Sequence, residues 1–107
     1  MSLPWHEQLA NDDESQKKWQ EFIYKTLNNW LQDPSQLEDE DCDAPTAEII
    51  QLAIEKAKYF KKIRMPPPDN IIQDVNGGIV FSCTIDGTYN DFHIWDDGEC
   101  TFFQSKR

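Results

Sequence analysis

The sequence predicts an α+β fold in which two amphipathic helices pack on one face of a three- to four-stranded antiparallel β-meander. Three observations carry this expectation. Apolar residues recur every three to four positions through two segments before residue 65, and the period drops to two after Pro66-Pro67-Pro68. Beyond that point Asn76-Gly77-Gly78, Asp86-Gly87 and Asp96-Asp97-Gly98 read as three hairpin turns. With 107 residues the chain has the length of one domain, so residues 1–107 are read as a single unit.

The first helix is expected over about 13–32, because Trp19, Phe22, Ile23, Leu27, Trp30 and Leu31 line one face at helical spacing. Asp12, Asp13 and Glu14 supply negative charge at its N-terminus, and Asp33-Pro34 ends it. Residues 33–44 carry the acidic run Glu38 to Asp43 with Leu37 as nearly the sole apolar anchor, which predicts an exposed linker. The second helix is expected over about 45–64, with Pro45 in its first turn and a stripe of Ile49, Ile50, Ala53, Ile54, Ala57 and Phe60. Lys58, Lys61, Lys62 and Arg64 complement the carbonyl end of its dipole, and the three prolines stop it.

The meander is expected over about 71–104, with strands Ile79–Ile85, Thr88–Trp95 and Glu99–Gln104 and a short edge strand Ile71–Val75 ahead of them. A two-residue turn at Asp86-Gly87 pairs Ile85 with Thr88, and a three-residue turn at Asp96–Gly98 pairs Trp95 with Glu99. These registers place Ile79, Phe81, Cys83, Ile85, Phe92, Ile94, Cys100 and Phe102 on a core face. The other face receives Val80, Ser82, Thr84, Tyr89, Asp91, His93, Trp95, Thr101 and Phe103. Trp19 and Trp30 have core positions on the first helix; Trp5 does not, and the segment around it is the expected cover for the outer sheet face.

Charge narrows the function classes. The net charge is −10, with eleven acids against three bases in residues 1–43, two against five in 44–64, and seven against two in 65–107. That balance disfavours nucleic acid and anionic lipid and favours a basic protein partner. No apolar run is long enough to span a bilayer, and Met1 to Glu7 lacks the basic and apolar regions of a secretory signal. Three cysteines without C-x-x-C spacing fit a reducing compartment, and a cytoplasmic location is expected.

Candidate sites follow from the same registers. Cys83, His93 and Cys100 are residue types that bind zinc, yet the two cysteines face the core while His93 faces outward, so no metal site and no cofactor are expected. The cysteines are read as buried thiols, reduced rather than paired. No catalytic residue is assigned: His6 and His93 are the only histidines, and no G-x-S-x-G or phosphate-cradling glycine loop occurs. The acidic run lacks calcium-loop spacing and reads as a solvated linker. The binding candidates are Tyr89, His93, Trp95 and Phe103, an aromatic group on the outer face of the meander.

The stretch from Pro66 to Phe103, with its three prolines, Gly77-Gly78-Ile79-Val80-Phe81 and the Asp97-Gly98 turn, resembles small uncharacterised bacterial proteins that end a helix in prolines and continue as a Gly-Gly-led β-meander. It departs from them after Phe81, where Ser82-Cys83 replaces an acidic residue and a tryptophan. The resemblance implies a bacterial source and supplies no catalytic residues.

The expected function is a non-catalytic acidic interaction domain, an antitoxin- or immunity-like inhibitor of a basic protein. The alternative is a small hydrolase or ligand-binding domain using His93 and nearby carboxylates. The oligomeric state is left open, with a homodimer as one option.

Overall fold

The computed structural model describes Trp5 and residues 8–10, 12–38 and 41–106. His6, Asp39 and Glu40, and with them part of the acidic run, lie outside the described residues.

The first helical run extends from α1 (Asp13–Glu21) through a π-helical stretch (Phe22–Leu27) into α2 (Asn28–Gln32). Trp19, Ile23 and Leu27 are buried at intervals of four. An α-helix has 3.6 residues per turn, so side chains four apart drift steadily around it; the wider i→i+5 turn absorbs an extra residue and counters that drift. Asn28 N–H donating to the Ile23 carbonyl, five residues back, marks the change. Trp30 and Leu31, expected on the core stripe, are only partly buried and pack at its margin.

The linker is less free than its composition predicts. After a 3₁₀ turn (Pro34–Leu37), the Leu37 carbonyl accepts from Gln73 Nε2 at 2.9 Å. Asp43 N–H donates to the Val75 carbonyl at 3.0 Å, within an isolated parallel bridge between Asp43 and Asn76. Backbone groups therefore tether the segment while Glu38, Asp41 and Asp43 stay exposed.

Helix α3 (Ala47–Lys62) starts one step later than expected. Thr46 is its N-cap, its hydroxyl accepting from Ile49 N–H at 3.3 Å, and Pro45 is buried just before the cap rather than in the first turn. The C-terminus closes as a Schellman motif. Arg64 takes a left-handed φ of 61°, its N–H donates to the Lys61 carbonyl, and Met65 N–H donates to the Phe60 carbonyl. Met65 is thereby turned inward and is fully buried.

The segment that follows cannot donate, because Pro66, Pro67 and Pro68 have no N–H. Its acceptors are met from elsewhere. The carbonyls of Arg64, Met65, Pro66 and Pro67 accept, in order, from Ala10 N–H at 2.7 Å, Trp19 Nε1 at 2.6 Å, Trp5 Nε1 at 2.8 Å and Cys83 Sγ at 3.6 Å.

The sheet contains β1 (Asn70–Gln73), β2 (Ile79–Ile85), β3 (Thr88–Ile94) and β4 (Cys100–Lys106), antiparallel in the order β1-β2-β3-β4. Ile85 pairs with Thr88 across Asp86 and Gly87, whose φ values of 51° and 76° fit the type I′ turn that matches strand twist. Trp95 N–H donates to the Glu99 carbonyl at 2.8 Å, closing the three-residue turn in which Gly98 has φ 88°. The edge strand ends at Gln73 rather than Val75, because Asp74 begins the next turn.

A cluster of buried residues joins Trp19, Ile23, Leu27, Ile50, Ala53 and Phe60 to Ile79, Phe81, Cys83, Phe92 and Ile94. Phe60 meets Phe81, Phe92 and Phe102 with centroids 6.3, 4.9 and 6.0 Å away, and Trp19 meets Phe81 at 6.2 Å. Two expectations need correction. Phe102 and Cys100 lie at the margin of the core, Phe102 with 41% of its surface exposed, because β4 is an edge strand. Trp5 is 2% exposed and its ring meets the edge of Phe102 at 6.3 Å, so it seals the core face and not the outer one.

Trp19→Phe is expected to cost about 2–3 kcal/mol in urea denaturation, because it removes indole volume and leaves the buried Met65 carbonyl without its donor.

Candidate functional site on the outer face of the sheet

Strand pleating sends alternate residues to the face opposite the core. Across it the register sets Ile72, Val80, His93 and Thr101 in one row and Asn70, Ser82, Asp91 and Phe103 in the next. Trp95 follows immediately after β3. His93 and Trp95, two residues apart, stack face to face at 3.7 Å with planes 13° apart. Phe103 stands edge-on to both, its centroid 6.3 Å from each. Trp95 Nε1 donates to Thr101 Oγ1 at 3.2 Å, which fixes the indole across the β3–β4 pair.

The imidazole is held from its other side by Asp74. His93 Nε2 lies 2.5 Å from Asp74 Oδ2, and both side chains are 17% exposed. Asp74 belongs to the turn between β1 and β2, so it must reach across β2 to a residue on β3. It can do so because the intervening residue is Gly78. A Cβ there would collide with Asp74 Oδ2 and lie 2.5 Å from the Ile94 carbonyl oxygen. The turn orients the carboxylate as well: Asp74 Oδ1 accepts from the N–H groups of Asn76 at 2.7 Å and Gly78 at 2.9 Å.

Desolvation raises the Asp74 pKa, but the hydrogen bond from His93, the two N–H donors of the turn and the imidazole charge together hold it below its ordinary value. Its carboxylate pairs with Nε2 of the imidazole.

Three of the four expected residues, His93, Trp95 and Phe103, therefore converge. Tyr89 shares their face but sits four residues along β3 from His93, about 13 Å away at strand spacing. Tyr89 and Phe103 are 43% and 46% exposed, and Ile72 and Val75 extend the open apolar surface toward β1. Asp74 and Gly78 were missed by the reading of the sequence; the signal available for them was the Asp74-x-Asn76-Gly77-Gly78 pattern of an Asx turn.

The face holds little that could act as a nucleophile beside His93. Ser82 Oγ donates to Asp91 Oδ1 at 2.8 Å, and Thr101 Oγ1 is engaged by Trp95. Cys83 faces the core, where burial, with a smaller contribution from Asp69, pushes its thiol up to about 11. Burial also raises Cys100, against an opposing effect of Lys56. No group of three or more His, Cys, Asp or Glu side chains is arranged to hold a metal among the described residues. None of the described helices is long and apolar enough to cross a membrane.

Comparison with protein-family models, curated proteins and solved structures yields no match to this chain.

Two outcomes are expected from this geometry. Because the folded pKa of Asp74 lies below the unfolded value near 3.8, its contribution is complete above that value and is lost as pH falls through the folded one. Denaturation measured across pH should show wild type losing stability below about pH 4 more steeply than Asp74→Asn, with the gap between them closing there. In native thiol labelling at pH 8, followed by peptide mass mapping, Cys83 should react only as fast as the chain opens, and Cys100 sooner.

Proposed function

We propose that this chain is a non-catalytic interaction domain that binds a basic protein partner through the outer face of its sheet, in the manner of antitoxin- or immunity-like inhibitors. The observation that carries this reading is the His93–Trp95–Phe103 group, an immobilised aromatic set with an exposed ring at its edge. Pre-ordered aromatics lose little conformational entropy on binding and are frequent anchors of interfaces. The net charge of −10 supplies attraction for a cationic protein. Tyr89 and Ile72 widen the surface on either side. Cys42, Cys83 and Cys100 are not joined in disulfides, which supports a reducing compartment such as the bacterial cytoplasm.

The Asp74–His93 pair favours a second reading, in which a carboxylate-oriented imidazole serves as a general base in a small hydrolase. Against it stand the surroundings of the imidazole: its ring face is stacked on Trp95, and the nearby hydroxyls of Ser82 and Thr101 are engaged by Asp91 and Trp95, so we read the pair as a mount for the indole. Asp74 and His93 are thus positioning residues for Trp95 and Phe103.

The test is affinity capture with wild type and Phe103→Ala in parallel, followed by surface-immobilised kinetics with the partner recovered. A basic protein should be retained by wild type, with association slowed by salt. Phe103→Ala should speed dissociation about 30-fold, equivalent to about 2 kcal/mol, while the thermal midpoint stays near that of wild type because the ring is half exposed. Equal dissociation rates for the two forms would remove the outer face from the interface.

A further inference from the structure

A second surface differs in chemistry from the acidic remainder of the molecule. Between the π-helical stretch and the end of α3 lies a cleft of about 330 Å³ whose walls include Tyr24, Lys58, Lys61, Lys62 and Arg64. In a chain with twenty acids, no carboxylate among the described residues pairs with any of these four cations.

They stand at the carbonyl end of the α3 dipole, where several of the last carbonyls already have donors of their own. Tyr59 O accepts from Ile63 N–H, Phe60 O from Met65 N–H, and Lys61 O from both Arg64 N–H and Gln16 Nε2. The Arg64 carbonyl accepts from Ala10 N–H. The amines and the guanidinium are left for solvent or a ligand.

Arg64 adds an independent observation. It occupies the left-handed position of the Schellman motif, where glycine is the usual residue because any Cβ is disfavoured there. A side chain kept in a strained conformation at the mouth of a cleft points to use of that side chain.

We propose that this cleft binds a compact anion carrying two or more phosphoryl groups, held by Lys58, Lys61, Lys62 and Arg64. A small ligand suits the site better than a nucleic acid. Such an anion sits against these four cations, whereas a long polyanion would extend past the cleft over a surface that carries the rest of the −10 net charge. The Tyr24 ring, 58% exposed at the wall, is placed to cover a base if the phosphoryl groups belong to a nucleotide.

The experiment is isothermal titration calorimetry of the full chain at low ionic strength with inorganic triphosphate and, separately, adenosine triphosphate. Saturable one-to-one binding of triphosphate that weakens with added salt is expected. It should fall at least about tenfold in Lys58→Ala/Lys62→Ala, as loss of two charge-assisted contacts implies, and be unchanged in Lys56→Ala, whose side chain is outside the cleft. Arg64→Gly separates site from scaffold, since it should raise the thermal midpoint by relieving strain while lowering affinity. Tighter binding of adenosine triphosphate that Tyr24→Ala abolishes would assign the site to nucleotides, and equal binding of both probes would assign it to the phosphoryl groups alone. The proposal is overturned if triphosphate gives no saturable binding at millimolar concentration, if Arg64→Gly and the double variant bind as wild type does, or if a single-stranded oligonucleotide binds more tightly than triphosphate.

Discussion

The structure depends on how the chain satisfies four consecutive carbonyls, those of Arg64 to Pro67. A triple proline can leave a helix abruptly but offers the segment no donors, and buried acceptors without partners are costly. Here the donors come from the N-terminal segment, the first helical run and β2. The requirement to satisfy one short strap thus draws three separate parts of the chain to the same place. It explains why two indoles are spent deep in the structure, at Trp5 and Trp19, where smaller apolar side chains could have filled space but could not have donated.

Trp95 illustrates a different use of the same side chain. Its N–H is satisfied by Thr101 at the rim, and one ring face is covered by His93 rather than by the core. His93 is in turn fixed by Asp74, and Asp74 by the backbone of its own turn. The outer face is therefore ordered outward from a loop, in contrast to the core face, which is ordered by apolar packing. Such a surface is held by specific side-chain contacts without being fully buried. The cationic cleft beside α3 lies apart from it, so the two surfaces differ in both charge and construction.

The parts legible in the sequence were those set by local chemistry. Asp86-Gly87 and Asp96-Asp97-Gly98 each specify a turn length, a turn length specifies a register, and register together with pleating specifies which face each strand residue joins. Hence Phe81 and Phe92 inside, and His93 and Phe103 outside, followed from turn residues. The π-helical stretch was not legible, because Trp19, Ile23 and Leu27 at intervals of four fit either kind of helical turn. The place of Pro45, just before the cap rather than in the first turn, was equally hidden, since Thr46 is a cap only if its hydroxyl reaches Ile49 N–H. Trp5 needed knowledge of an acceptor sixty-one residues away, at Pro66. The Asp74–His93 pair was hidden for a similar reason: it spans two strand connections and exists only because no side chain stands between its members.

That last point gives Gly78 a meaning beyond its own turn. The residue has no unusual φ to justify a glycine, in contrast to Gly77, Gly87 and Gly98. What excludes a side chain is the carboxylate crossing above it to meet an imidazole on the next strand, together with the Ile94 carbonyl oxygen. Position 78 is consequently a covariation marker. Among sequences descended from a common ancestor, an aspartate at 74 and a histidine at 93 should be inherited as a pair only where 78 remains glycine. A lineage that acquires any larger residue there should let both drift, and the stacked indole at 95 with them.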